Sequence, residues 1–463
     1  MATLDDLQNA IGGQRVWAAD PDAATDRAAL GRVVIDSRRV EPGDVFWGLA
    51  GRHCDGSDFA DEAFARGAAG AVVQKPVHAP GGQWALVVND SLRALRAWAA
   101  WHRQRFRGTV IAVTGSVGKT TTRQMIHTVL RGRLRGSASP QNYNNHVGLP
   151  LSMLQMEAED DYAVLELGAS GPGEIAALAA LCRPAIGVIT HVGDAHLGGF
   201  GSRRGIAEAK AELLDALPPE GLAILGDDPW LKRLRGRSAA PAIVVGRNSE
   251  CELAAAEVAW GAGTLSFTLE GRRFEVPVWG RHHLTAVLAA IAVGRRLGYA
   301  LGEMAEALRN FDPLPMRCEV TQVRGATFIN DTYNASPAAM LAALELLRDF
   351  DARGRRIVVF GDMLELGEES AEIHRRLGAC VVTLSGADLL IACGQFAPYV
   401  VAGARAAGMP ACRSFSCRQP EETMSCLGQA ILPGDVVLVK GSRALAMERM
   451  VEAMHTYPQR RTA

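Results

Sequence analysis

Residues 114–120 read Thr-Gly-Ser-Val-Gly-Lys-Thr. They follow the apolar run Val110–Val113 and precede a helical pattern with Met125, Ile126, Val129 and Leu130 in phase. Strand, glycine turn, Lys-Thr, helix is the order in which a phosphate loop is built. Gly115 and Gly118 let the N–H groups of Ser116, Val117 and Lys119 approach phosphate oxygens, and the helix N-terminus adds a favourable dipole. The Lys119 ammonium would neutralise the β- and γ-phosphates. Thr120 would give a hydroxyl to Mg²⁺, with Thr121 beside it. Val113 stands where the full Walker pattern has its first glycine, so this is a shorter form. An ordinary glycine turn is the competing reading of the stretch.

Further groups lie after the loop. Asn144 and Asn145 sit in Asn-Tyr-Asn-Asn-His-Val-Gly-Leu-Pro, residues 142–150. That run reads either as a polar loop with Asx turns or as donors for a phosphorylated ligand. Glu166 ends the apolar run 162–165, where a strand end would carry a Walker-B-like acid. Its carboxylate needs a partner, Mg²⁺ or an arginine. His196 falls in a glycine-rich loop, where a histidine is more often a hydrogen-bonding residue than a ligand. Lys210 lies in an amphipathic pattern over 206–214. Its spacing alone predicts a solvated helix face.

The elements that must position these groups follow from periodicity. Residues 1–106 read as a small α/β domain, with strands at 33–35, 45–47, 70–73 and 84–88 and helices at 59–69 and 92–101. Arg103–Arg107 reads as a basic exposed connector. Residues 107–312 alternate strands and helices and predict a mainly parallel sheet. Residues 313–463 predict a Rossmann-like domain whose strands end in Asn330-Asp331, Gly361-Asp362, Cys393-Gly394 and Lys440-Gly441. No dinucleotide fingerprint stands there. The fold class is α/β in three domains.

Composition bounds the partners. The chain has 463 residues, 48% hydrophobic and 21% charged, with a formal net charge of −1. A balanced charge disfavours nucleic acid or an anionic membrane as main partner. Nine scattered cysteines without a Cys-x-x-Cys pair read as reduced, predicting a cytoplasmic protein. No zinc spacing, signal peptide or membrane-spanning run is expected. Lysine stands only at 75, 119, 210, 232 and 440, among many arginines. Unlike arginine, lysine is a compact point charge that can be deprotonated.

Taken together, these motifs resemble the Mur ligases of peptidoglycan synthesis over essentially the whole chain. Asp36-Ser37-Arg38, Pro42-Gly43-Asp44 and Asp55-Gly56 are similar to the family's uridine-nucleotide domain, and Thr114–Thr120 to its own form of phosphate loop. Residues 330–337, 361–367 and 439–443 resemble the branch that joins D-Ala-D-Ala to UDP-N-acetylmuramoyl-tripeptide. The resemblance implies an ATP-dependent carboxylate–amine ligase acting through an acyl phosphate, and, by family habit, a monomer. It implies that Glu166 and His196 are magnesium ligands and that Lys210 is carbamylated, its carbamate also holding magnesium. It further implies that His282, Arg317 and Asp331 lie near the nucleotide, and that Ser37, Arg38, Asp55, Asn144, Asn145, Asn334 and Lys440 face substrate. Where the family usually has Asn after His282 and again three residues later, this chain has His283 and Ala286; the family's Thr-Asn reads Thr190-His191. Another acceptor, or a nucleotide-binding scaffold without turnover, are the rival readings.

Overall fold

The computed structural model describes residues 2–17, 29–51 and 53–457. The chain separates into two compact units. One comprises residues 1–112, 134–167 and 177–184, the other residues 113–133, 168–176 and 185–463.

In the first unit a five-stranded sheet runs in the order Gln14–Trp17, Trp84–Val87, Gly70–Val73, Val45–Trp47, Val33–Val34. Only the Gln14–Trp17 pairing is antiparallel. The inner strands Val45–Trp47 and Gly70–Val73 are apolar throughout and buried on both faces, as parallel strands require. Gly70 has no room for a side chain, because a Cβ would lie 2.0 Å from the Trp84 ring. The strand Gly136–Ala138 pairs in parallel with Tyr162–Glu166, every residue of which is buried.

The helix after the sheet runs Ser91–Arg105, capped by Asp90. The basic stretch 103–107 is therefore helical through Arg105; Gln104, Arg105 and Arg107 are exposed as expected, but Arg103 is half-buried and Phe106 is buried. The Arg103 guanidinium donates to the carbonyls of Cys182, Phe106 and Arg183. Partners eighty residues away in sequence, invisible to composition, hold this arginine.

In the second unit four parallel strands, Ile186–Ile189, Leu222–Gly226, Ala242–Gly246 and Leu253–Ala254, lie side by side. The helix Lys119–Leu130 packs against Leu284–Arg296, which is buried almost all round. Gly294 permits that approach, since a Cβ there would meet Val129 Cγ1 at 3.0 Å. A small antiparallel sheet follows, Ala256–Gly261, Thr264–Leu269 and Arg272–Val276.

A six-stranded sheet closes the chain, in the order Glu319–Val323, Ala326–Asn330, Val436–Lys440, Arg356–Gly361, Leu389–Cys393, Ser414–Cys417. Only its first pair is antiparallel. Apolar clusters cover both faces. The parallel register sets Asn330, Lys440, Gly361 and Cys393 at one edge of the sheet. Among the described residues no helix is long and apolar enough to cross a membrane, and all nine cysteines are free.

Candidate active site

The strand Thr109–Thr114 ends in the glycine turn, and the helix starts at Lys119. Gly115 (φ 148°) and Gly118 (φ 82°) hold conformations that side chains disfavour. Thr190 locks the turn. Its hydroxyl donates to the Val117 carbonyl at 2.6 Å, and its N–H donates to the Thr114 carbonyl. Ser116 N–H donates to the His191 carbonyl at 2.8 Å, and the Ser116 hydroxyl to the Gly193 carbonyl at 2.9 Å. Lys119 Nζ donates to the Gly115 carbonyl at 2.8 Å, so the ammonium curls over the turn it belongs to.

A Cβ at Gly115 would lie 1.9 Å from Thr190 Oγ1. Gly115→Ala is therefore expected to distort the loop and raise the KM for ATP about tenfold, roughly 1.4 kcal/mol of lost binding. Gly115→Ala with Thr190→Ala should recover part of that loss, because the hydroxyl in the clash is gone. An unchanged KM in the single variant would show that the loop does not bind nucleotide as built.

The second wall comes from Arg317. Its neighbours Met316 and Cys318 both have left-handed backbones, φ 58° and 52°. Such residues are held by their surroundings rather than by preference. Arg317 Nη2 donates to Thr120 Oγ1 at 2.9 Å, and its guanidinium stacks over the Tyr333 ring at 3.9 Å. Asp331 accepts from Cys318 N–H and pairs with Lys440 at 2.6 Å. Lys440 is buried; it also donates to the carbonyls of Asp331 and Asn334. Its three protons thus go to its own scaffold, whereas the resemblance implied contact with substrate. The Asn334 side chain accepts from Ala335 N–H.

His196 and Glu365 form a close pair, both in left-handed conformations, φ 55° and 64°. Burial pushes the His196 imidazole below its ordinary value; Glu365 opposes this, and the charges of Lys119 and Lys210 add to it. Gly199 lets the loop fold tightly, since a Cβ there would strike the Ser170 carbonyl at 1.9 Å.

Lys210 is the main correction to spacing alone. It lies in the helix Arg203–Asp215 but is 3% exposed, not solvated. Residues 206, 207, 209, 211, 213 and 214 of the same helix are also buried, so the polar face is narrower than the pattern indicates. Nζ stands 5.7 Å from the Phe200 ring centre. Burial, reinforced by the Lys119 charge and opposed by Glu212, pushes the amine down to about 7.

In the first unit, Asn144 Nδ2 donates to Glu166 Oε1 at 2.8 Å, and Glu166 N–H donates to Ser139. Glu166 is 2% exposed. Asn145 instead accepts from the N–H groups of Val147 and Gly148, an Asx turn at the helix Gly148–Met153. Asn145 thus follows the Asx-turn reading, whereas the Asn144 amide donates to Glu166. Ser37 is buried and donates to Glu62 at 2.6 Å; Arg38 is exposed and pairs with Asp36. Asp55 accepts from Ser57 N–H and pairs with Lys75.

Residue type alone did not single out several participants. Thr190 is one, and Glu365 another. His191 pairs with Asp228 at 2.9 Å. Burial raises the Asp228 carboxyl, but donors at His191, Val192 N–H and Trp230 N–H outweigh it and hold the group low. His282 has an accessible edge, yet the dense protein around its ring pushes it down to about 4. It lies against His283, ring centres 4.1 Å apart.

Three family models cover most of the chain. They are the Mur ligase family catalytic domain over 31–96, the Mur ligase middle domain over 113–294, and the Mur ligase glutamate ligase domain over 316–443. The UDP-N-acetylmuramoyl-tripeptide–D-alanyl-D-alanine ligase of Bacillus subtilis is 33% identical, covering 94% of this chain and 95% of its own. The Escherichia coli protein of the same name is 33% identical over 98% of each. The crystal structure of MurF from Acinetobacter baumannii superposes with a TM-score of 0.86 at 30% identity, covering 98% of both chains. That of MurF from Thermotoga maritima in complex with ADP gives 0.79 at 31% identity, covering 92% of this chain and 98% of that one.

Proposed function

This chain belongs to the Mur ligase family, and from that membership we propose that it joins D-Ala-D-Ala to UDP-N-acetylmuramoyl-tripeptide with cleavage of ATP to ADP and phosphate. The observation that carries the reading is its breadth: relatives named for this one reaction match along nearly the full length of both chains. The Thermotoga maritima relative, solved with ADP, supports nucleotide binding by this chain.

In this reading residues 1–106 hold the uridine nucleotide and 107–312 the ATP. Lys119 and the phosphate-loop N–H groups cradle the β- and γ-phosphates, apart from the Ser116 N–H, which donates to the His191 carbonyl. The tripeptide carboxylate attacks the γ-phosphorus, and ADP leaves. The dipeptide amine then attacks the acyl carbon, and phosphate leaves with one oxygen of the carboxylate. Phosphoryl transfer of this kind depends on positioning and charge neutralisation. Arg317, fixed on Thr120 and Tyr333, adds a delocalised positive charge at the loop.

The donor groups suit a magnesium ion. Glu166 is a buried carboxylate oriented by Asn144, Thr120 offers a hydroxyl, and His196 is held by Glu365. Lys210 is a buried amine with a large neutral fraction near pH 7, the form that takes up carbon dioxide. Its carbamate, His196 and Thr120 would hold the ion. When bound, Mg²⁺ would neutralise phosphate charge that builds during transfer. The protein would work in the cytoplasm as a monomer, without nucleic acid or membrane insertion.

The test is phosphate release by the purified protein with ATP and Mg²⁺. Release that requires both UDP-N-acetylmuramoyl-tripeptide and D-Ala-D-Ala is expected. Release indifferent to either one would refute the ligase reading.

A further inference from the structure

The fold gathers three metal-binding side chains that the ligase chemistry above does not use as ligands. His282 and His283 end the turn that leads into the helix Leu284–Arg296, and Cys318 starts the edge of the six-stranded sheet. Two imidazole nitrogens and one sulfur, one from each residue, all lie within 4.8 Å of one another. Cys318 Sγ stands 3.8 Å from His282 Nε2.

These distances decide what could bind. A zinc-class ion sits about 2.0 Å from nitrogen and about 2.3 Å from sulfur, so ligand atoms of a tetrahedral site lie roughly 3.5 Å apart. The observed triangle closes to that size with side-chain movements on the order of 1 Å. The donor set also decides which ion. Imidazoles combined with a thiolate select zinc, copper or cobalt, whereas magnesium takes a mainly oxygen donor set and no thiolate. A hydrogen-bonded thiol packed on two histidines without affinity for metal is the plain alternative.

We propose that His282, His283 and Cys318 form a binding site for a thiophilic divalent cation of the zinc class, with a fourth position open to water. Binding replaces the Cys318 thiol proton with the cation, and the proton leaves to solvent; nothing is oxidised or reduced. Sequence spacing hid the site, since its ligands come from two distant segments and no Cys-x-x-Cys pair marks it.

The site has a consequence for nucleotide, which rests on the reading proposed above. His283, Arg317 and Cys318 line one small cavity with Thr121 of the phosphate loop. Drawing Cys318 toward the imidazoles shifts the backbone that holds Arg317 on Thr120. Occupancy therefore weakens nucleotide binding, by about tenfold for a coupling of ordinary size.

Cobalt(II) is the probe for the site. The full chain, stripped of transition metal and kept in Mg²⁺, should take up one equivalent and develop a thiolate-to-cobalt charge-transfer band with tetrahedral visible bands. Cys318→Ser should lose the charge-transfer band, and His283→Gln should bind at least tenfold more weakly. Circular dichroism melts of both variants establish that they fold. No band in the parent chain, or a band that survives in Cys318→Ser, overturns the proposal. For the coupling, ADP affinity in excess Mg²⁺ is compared with and without one equivalent of Zn²⁺, in the parent and in Cys318→Ser. Weakening confined to the parent supports it, and equal affinities overturn it. If ADP fails to bind even without zinc, the nucleotide reading falls, while the cobalt band still decides the metal site.

Discussion

Lys210→Ala is expected to lower ligase turnover about a thousand-fold, roughly 4 kcal/mol of transition-state stabilisation, and short carboxylic acids are expected to restore part of it. The reason lies in where the amine stands. It is buried, faces Phe200 and feels the charge of Lys119. A permanent ammonium there would repel Lys119 and could hold no cation. A carbamate reverses the sign of that charge. Alanine leaves space and no carboxylate, so a small acid can enter and supply one. Lys210→Arg should be equally inactive without rescue, because a guanidinium fills the space and cannot be carbamylated.

The pH dependence follows with a definite sign. The folded amine titrates near 7, far below its ordinary value. Above that pH it is neutral and reacts with carbon dioxide; below it, protonation blocks the reaction. Turnover should therefore fall as pH drops through about 7, and added bicarbonate should move the fall to lower pH. The same shift makes a charged Lys210 a burden on the fold. That cost is absent when the lysine is neutral in both states and grows as pH falls from the unfolded value through the folded one. Activity without dependence on bicarbonate, and no rescue of Lys210→Ala, would together exclude the carbamate.

Asp331→Ala carries the largest expected effect on stability. Lys440 is 2% exposed, and Asp331 is its carboxylate partner at 2.6 Å. Removing that partner leaves a buried ammonium with only the carbonyls of Asp331 and Asn334 as acceptors. Breaking a buried pair in this way costs about 3–5 kcal/mol. The loss should appear as faster hydrogen exchange at the amides of Ala326–Asn330 and Val436–Lys440, the strands the pair ties together. Lys440→Met combined with Asp331→Ala should recover most of it, because the uncompensated charge is then gone. If the double variant exchanges as fast as Asp331→Ala alone, the pair is not what stabilises this edge.

What was legible in the sequence was what is local. The run 110–113 became the strand Thr109–Thr114, and the glycine turn kept its place between strand and helix. Apolar β-branched runs also located the strands of the last sheet, because burial on both faces demands such residues. Tertiary placement was not legible. Helical spacing around Lys210 includes Glu208 and Glu212, which makes the face look solvated; only the fold shows how narrow it is. Arg103 looked exposed because its acceptors lie in a later helix and turn. Asn144 and Asn145 are adjacent and alike, yet one orients Glu166 and the other closes an Asx turn. Thr190 matters through one hydroxyl that donates to the Val117 carbonyl and leaves no room for a side chain at Gly115, an arrangement no periodicity encodes.

The most direct test of the central claim follows an oxygen atom. UDP-N-acetylmuramoyl-tripeptide labelled with ¹⁸O in its terminal carboxylate is turned over with ATP and D-Ala-D-Ala, and the released phosphate is weighed by mass spectrometry. Attack of that carboxylate on the γ-phosphorus places one labelled oxygen in each phosphate and leaves the other in the new peptide bond. Phosphate free of label, formed alongside peptide product, would contradict an acyl phosphate and the site chemistry assigned to Lys119 and Lys210.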